Sequence, residues 1–178
     1  MASTYTGTLL GPGCPWSSLL VPLVILLFNI ENLAFGGLVM QSRKKYGIPF
    51  PTMYAVPGSP RYYNDSMKPT ETDVATKFSE TITNEEAFAF NSIQRGHQNM
   101  IENAPFFLAI LIVAWSFPLI SGIAGLLYLV GRAVYMYGYI QEPKLRVYGA
   151  IFIYPSLLTL FVLAGFNMAY IAQGVEPY

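Results

Sequence analysis

The sequence holds one cysteine, Cys14, and one histidine, His97, in 178 residues. A lone thiol excludes an intrachain disulfide framework and a thiolate cluster for a metal. A lone imidazole leaves no histidine-rich zinc site, so no metal is expected. Charge is scarce as well: 11% of residues are charged, where soluble domains carry about 25%. Ten basic residues balance ten acidic ones, so there is no basic excess to neutralise phosphates, and nucleic acid is not expected as a partner. Residues 1–17 carry no charge at all. Without a positive n-region they are not expected to be a removable signal peptide. Cys14 is expected on the far side of a bilayer from His97, which excludes a cysteine–histidine nucleophile.

Apolar residues make up 53% of the chain, and they are gathered into runs. Spans over about 18–41, 84–116, 120–140 and 146–171 each reach roughly the 20 residues that cross a hydrocarbon layer. The expected fold is all-α, an integral membrane four-helix transmembrane bundle forming a single domain over 1–178, with no internal repeat. A polar stretch over about 47–84, with Pro49, Pro51, Pro57, Pro60 and Pro69, joins the first two spans. Connections of that length are functional lids or disordered segments. Thr83-Asn84-Glu85-Glu86 predicts a helix start, its acids complementing the positive end of the dipole. Pro105 predicts a kink in the second helix and Pro155 a bend in the fourth.

Lysine and arginine fall on one side only. The first loop holds Arg43, Lys44, Lys45, Arg61, Lys68 and Lys77, and the connection between spans three and four holds Lys144 and Arg146. The first 17 residues, the Phe117-Pro118 turn and the tail hold none. This bias predicts lumenal termini and cytosolic loops.

The second span is polar in its first half, from Phe90 to Glu102, and apolar from Ala104 to Trp115. Arg95, Asn99 and Glu102 fall at i, i+4 and i+7 and so share one helix face. A cation, an amide and a carboxylate on one stripe suit a zwitterionic ligand, because burying such groups is costly unless each meets a partner. Tyr128, Arg132, Tyr135 and Tyr139 form a second stripe at helical spacing on the third span. Tyr137, off that face, fits an interfacial aromatic belt. Arg43 and Arg146 taken alone are ordinary positive-inside residues, and Glu31 in the first span is expected to make an inter-helix contact.

Phe90-Asn91-x-x-Gln94-Arg95-Gly96-His97-Gln98-Asn99-x-x-Glu102 resembles the signature of the membrane-associated proteins in eicosanoid and glutathione metabolism, the MAPEG family. Two more blocks resemble its microsomal glutathione S-transferase type-3 branch. One is Ser42-Arg43-Lys44-Lys45-Tyr46 with Pro51-Thr52-Met53-Tyr54; the other is Gly131-Arg132-x-x-Tyr135-x-Tyr137-Gly138-Tyr139 with Glu142-Pro143. The resemblance covers nearly the whole chain in order. It implies a homotrimer in the endoplasmic reticulum or outer mitochondrial membrane, binding glutathione at subunit interfaces near the cytosolic face. It implies glutathione-binding roles for Arg43, Arg95, His97, Asn99, Glu102, Arg132 and Tyr139. It also makes Arg146 the arginine that activates the thiol, with Tyr135 as a secondary donor. Asn103 departs from the tyrosine of the leukotriene-forming synthases, so that contact is not carried over.

The implied chemistry suits these residue types. Glutathione has two carboxylates and one ammonium, and arginine holds a carboxylate bidentately. The thiolate is the reactive species. The second substrate would be a lipophilic electrophile or lipid hydroperoxide entering from membrane lipid. The resemblance thus implies a glutathione transferase or glutathione-dependent peroxidase. The alternatives are conjugation of an epoxide lipid as in a leukotriene synthase, lipid binding without catalysis as in the 5-lipoxygenase-activating protein, and a structural tetraspan or small channel.

Overall fold

The structure, a computed structural model, describes residues 17–61 and 81–174. Cys14 and residues 62–80 of the long connection lie outside the described residues. Within them the long elements are four helices: α1 (Leu20–Tyr46), α2 (Asn84–Val113), α3 (Pro118–Gln141) and α4 (Val147–Ala172). All four are long and apolar enough to cross a membrane.

Each boundary has a local cause. α1 runs on through the basic residues Arg43, Lys44 and Lys45, which favour the negative end of a helix dipole. It stops at Gly47, whose φ of 63° is left-handed and whose N–H returns to the Arg43 carbonyl, an ending that suits glycine. α2 opens on a full capping box: the Thr83 hydroxyl accepts from the Glu86 N–H, and the Glu86 carboxylate accepts from the Thr83 N–H. Pro105 lies inside α2, and the helix continues through it to Val113. A single 3-10 turn, Ala114–Ser116, leads to Phe117, and Pro118 then starts α3 at the position where its missing N–H costs least.

α3 is the hub, with α4 packed most extensively against it and α1 and α2 on its other sides. The core is apolar and drawn from every helix: Phe28 from α1, Phe107 from α2, Tyr128 from α3 and Leu160 from α4 are all fully buried. Phe107 stacks on Tyr128 with ring centroids 3.8 Å apart. Away from that core, large side chains such as Leu33, Leu158 and Phe161 are exposed, as suits helices that face hydrocarbon.

Small residues set the closest approach. A Cβ at Gly149 of α4 would stand 2.5 Å from the Tyr135 backbone nitrogen and 2.6 Å from the Gly131 carbonyl oxygen. Both atoms belong to backbone and cannot swing aside, so the two helices meet only because position 149 lacks a side chain. Gly149→Leu is expected to push α4 off α3 and destabilise the fold by about 3 kcal/mol, read as earlier thermal unfolding in detergent. An unchanged melting temperature would contradict this packing.

Candidate functional site

The polar residues singled out by sequence gather at the loop end of the bundle, where α1 ends, α2 begins, α3 ends and α4 begins. They fall into an inner cluster between helices and an outer cluster at the rim.

Arg132 is the centre of the inner cluster. It is 3% exposed, and its Nη1 donates to the Asn99 side-chain oxygen at 3.0 Å. Its guanidinium sits over the Tyr135 ring, 5.1 Å from the centroid. Glu31 of α1 lies within electrostatic range of Arg132, as does the buried Tyr128. Asn103 ties down the backbone of the same turn by donating to the Asn99 carbonyl at 2.7 Å. His97 turns the other way, its Nε2 3.2 Å from the Asn32 side-chain oxygen of α1. A charge held this deep is stable only with partners on several sides, and three helices supply them.

The outer cluster is built around Tyr139. Arg146 donates from Nη1 to the Tyr139 hydroxyl at 2.6 Å, and its guanidinium lies 5.3 Å from the Tyr139 ring centroid. That contact exists because Pro143–Arg146 is one tight turn that brings α4 straight back along α3. Gly138 permits the turn: a Cβ there would meet the Leu145 carbonyl carbon at 2.7 Å and the Arg146 nitrogen at 2.8 Å. Tyr135 packs beside Tyr139 with ring centroids 5.4 Å apart. Arg95 approaches from α2, close enough to interact with both Tyr139 and Glu102. Arg146, Arg95 and Glu102 are all exposed, so two cations and a carboxylate face outward around buried Tyr139.

Of the residues expected to bind a ligand, the structure brings Arg95, Asn99, Glu102, Arg132, Tyr135, Tyr139 and Arg146 to one end of α2 and α3. Arg43 is elsewhere. It is buried, donates to the Pro49 carbonyl at 3.2 Å, and sits between the Phe50 and Phe90 rings at 4.6 and 5.3 Å. In this chain it staples the end of α1 to the loop and α2. His97 is occupied with Asn32 rather than the rim.

Two rim residues were not among those expected. Gln98 donates to the Glu102 carboxylate at 3.0 Å, and their i, i+4 spacing on a helix could have shown this. Tyr54, from the loop, donates its hydroxyl to the Gln98 side-chain oxygen and lies under the Arg95 guanidinium, 5.9 Å from its ring centroid. No periodicity marks that contact, because a loop's path is not written in hydrophobic spacing.

The family model of the MAPEG family matches residues 21–166. The match runs from the first turn of α1 into the last turns of α4 and takes in both clusters. Its members include membrane glutathione transferases, leukotriene synthases and non-catalytic lipid-binding proteins, and four apolar helices of spanning length agree with a place in the bilayer. The chain is an integral membrane protein and belongs to the MAPEG family.

Proposed function

We propose that this protein is a glutathione transferase with glutathione-dependent peroxidase activity, working on lipophilic electrophiles and lipid hydroperoxides. The observation that carries the reading is the rim itself: exposed Arg146 bonded to buried Tyr139, and exposed Arg95 within electrostatic range of both Tyr139 and the Glu102 carboxylate. That charge set complements a tripeptide with two carboxylates, one ammonium and a thiol.

In this reading Arg95 holds a glutathione carboxylate, Glu102 takes the ammonium, and Arg146 stabilises the thiolate. Arg146 uses one donor on Tyr139, and a guanidinium has five, so donors remain for sulfur. A free thiol with pKa about 8.5 is only a few per cent ionised at pH 7. Lowering that pKa by two requires about 2.7 kcal/mol of preferential thiolate stabilisation. A guanidinium fixed by Tyr139 at the edge of a low-dielectric layer is of that order. Tyr135 acts as a second hydrogen-bond donor, and Arg132 with Asn99 holds the α2–α3 contact on which the rim is built. In conjugation the thiolate forms a sulfur–carbon bond on the electrophile as a carbon–leaving-group bond breaks and the leaving group departs with the electron pair. Peroxide reduction consumes two glutathiones and yields the disulfide, the lipid alcohol and water.

The proposed setting is a homotrimer in the endoplasmic reticulum membrane with the rim toward the cytosol. The lysine and arginine bias of the loops supports that orientation. Arg95→Ala is expected to raise the glutathione dissociation constant at least about tenfold, the loss expected of a charge-assisted hydrogen-bond pair. Calorimetry on the detergent-solubilised protein measures it. The test of function is turnover of glutathione with a chromogenic electrophile and with a lipid hydroperoxide. Lipid binding with no turnover of either would instead support a non-catalytic member, and no saturable glutathione binding would remove the reading.

A further inference from the structure

The described part of the long connection is folded down on α2. Asn91 grips both backbone groups of Ala55: its Oδ1 accepts from the Ala55 N–H at 2.7 Å, and its Nδ2 donates to the Ala55 carbonyl at 3.0 Å. The returning stem is zipped to the outgoing one, Gly58 N–H to the Ile82 carbonyl and Ile82 N–H to the Ser59 carbonyl, each at 2.9 Å. Arg61 pairs with Glu86 of the capping box. The loop therefore has its own anchors, independent of what the Tyr54 side chain does.

Those anchors leave Tyr54 beside Arg95 and Gln98. The Arg95 guanidinium lies over the Tyr54 ring, and the phenol gives its proton to the Gln98 oxygen. A side-chain amide with its oxygen taken in this way must present its NH2 on the other side. There it meets Glu102 Oε1 at 3.0 Å. The chain of bonds holds the Glu102 carboxylate in one orientation, with one oxygen engaged by Gln98. Without the Tyr54 hydroxyl the Gln98 amide loses its second anchor, and its NH2 is free to swing away from Glu102.

We propose that Tyr54 is a positioning residue for the amino end of glutathione: through Gln98 it presents Glu102 to the γ-glutamyl ammonium. The proposal rests on the glutathione reading above and adds to it a residue from the loop and a direction of action. It makes the loop part of the binding site, touching the peptide's amino end through a relay and leaving the thiol to Arg146. The feature of the ligand that the relay reads is the amine. An analogue in which hydrogen replaces the γ-glutamyl amine should not feel it.

The test is calorimetry of wild type, Tyr54→Phe and Gln98→Leu, each with glutathione and with the desamino analogue, alongside thermal unfolding. Tyr54→Phe keeps the ring under Arg95 and the Ala55–Asn91 clamp, so it is expected to melt as wild type does. Its glutathione affinity is expected to fall about tenfold, its affinity for the desamino analogue to stay the same, and kcat to hold while KM rises. Gln98→Leu, which cuts the relay at its other end, is expected to show the same selective loss. Equal loss for both ligands, or no loss for either, overturns the assignment of Tyr54. Wild type that binds neither ligand removes the glutathione reading itself, a distinguishable result.

Discussion

Arg146→Ala is expected to lower turnover of glutathione with an electrophile by about a hundredfold or more, the usual effect of removing a preorganised donor from developing or reactive charge. Glutathione affinity should change by less than about threefold, because Arg95 and Glu102 carry the peptide's charged ends in this account. The variant should fold normally. Arg146 is exposed and its one described bond is to the Tyr139 hydroxyl, so its removal opens no core cavity. Arg146→Lys is expected to recover only part of the rate. An ammonium supplies charge without the planar fork that can bond tyrosine and sulfur together. Parallel loss of affinity and rate would make Arg146 a binding residue. No loss of rate would remove it from the chemistry.

The second large effect concerns the inner cluster and reads out as stability. Arg132 lies between three helices, bonded to Asn99, over Tyr135, and within range of Glu31. Arg132→Leu is expected to cost about 3–5 kcal/mol, the range for breaking a buried polar pair by removing one partner. It leaves the Asn99 oxygen without its donor and Glu31 without its cationic neighbour. Glu31→Leu should be destabilising as well, because it removes a carboxylate from the surroundings of a buried guanidinium that keeps only Asn99 and the neighbouring rings. In the double variant both groups are gone, and the loss should fall short of the sum by about 1–3 kcal/mol. Unfolding of the four proteins in mixed micelles measures that coupling. Additive losses would show that Glu31 and Arg132 act separately.

The long helices were legible because hydrocarbon length and the absence of charge are properties of composition. Their ends were less so. The apolar run gives out at about residue 41, whereas α1 continues to Tyr46. A run of lysine and arginine ends the apolar stretch but prolongs the helix, since those residues suit its C-terminus.

At the site, the stripe of Arg95, Asn99 and Glu102 was legible from helical spacing, and so was that of Arg132, Tyr135 and Tyr139. What each side chain reaches was not. The direction of Arg43 depends on Phe50 and Phe90 converging from a loop and a second helix. That of His97 depends on how α1 lies against α2. Tyr54 depends on a clamp between Ala55 and Asn91, side chain to backbone across 36 positions of sequence. Spacing along one element cannot contain such facts, because they arise from the packing of several.

The most direct measurement is the ultraviolet absorbance of thiolate at neutral pH as glutathione is added to the purified protein. The signal is expected to saturate with glutathione in wild type and to be lost in Arg146→Ala, although that variant still binds the peptide. Saturable binding without thiolate in wild type, or undiminished thiolate in Arg146→Ala, would contradict this expectation.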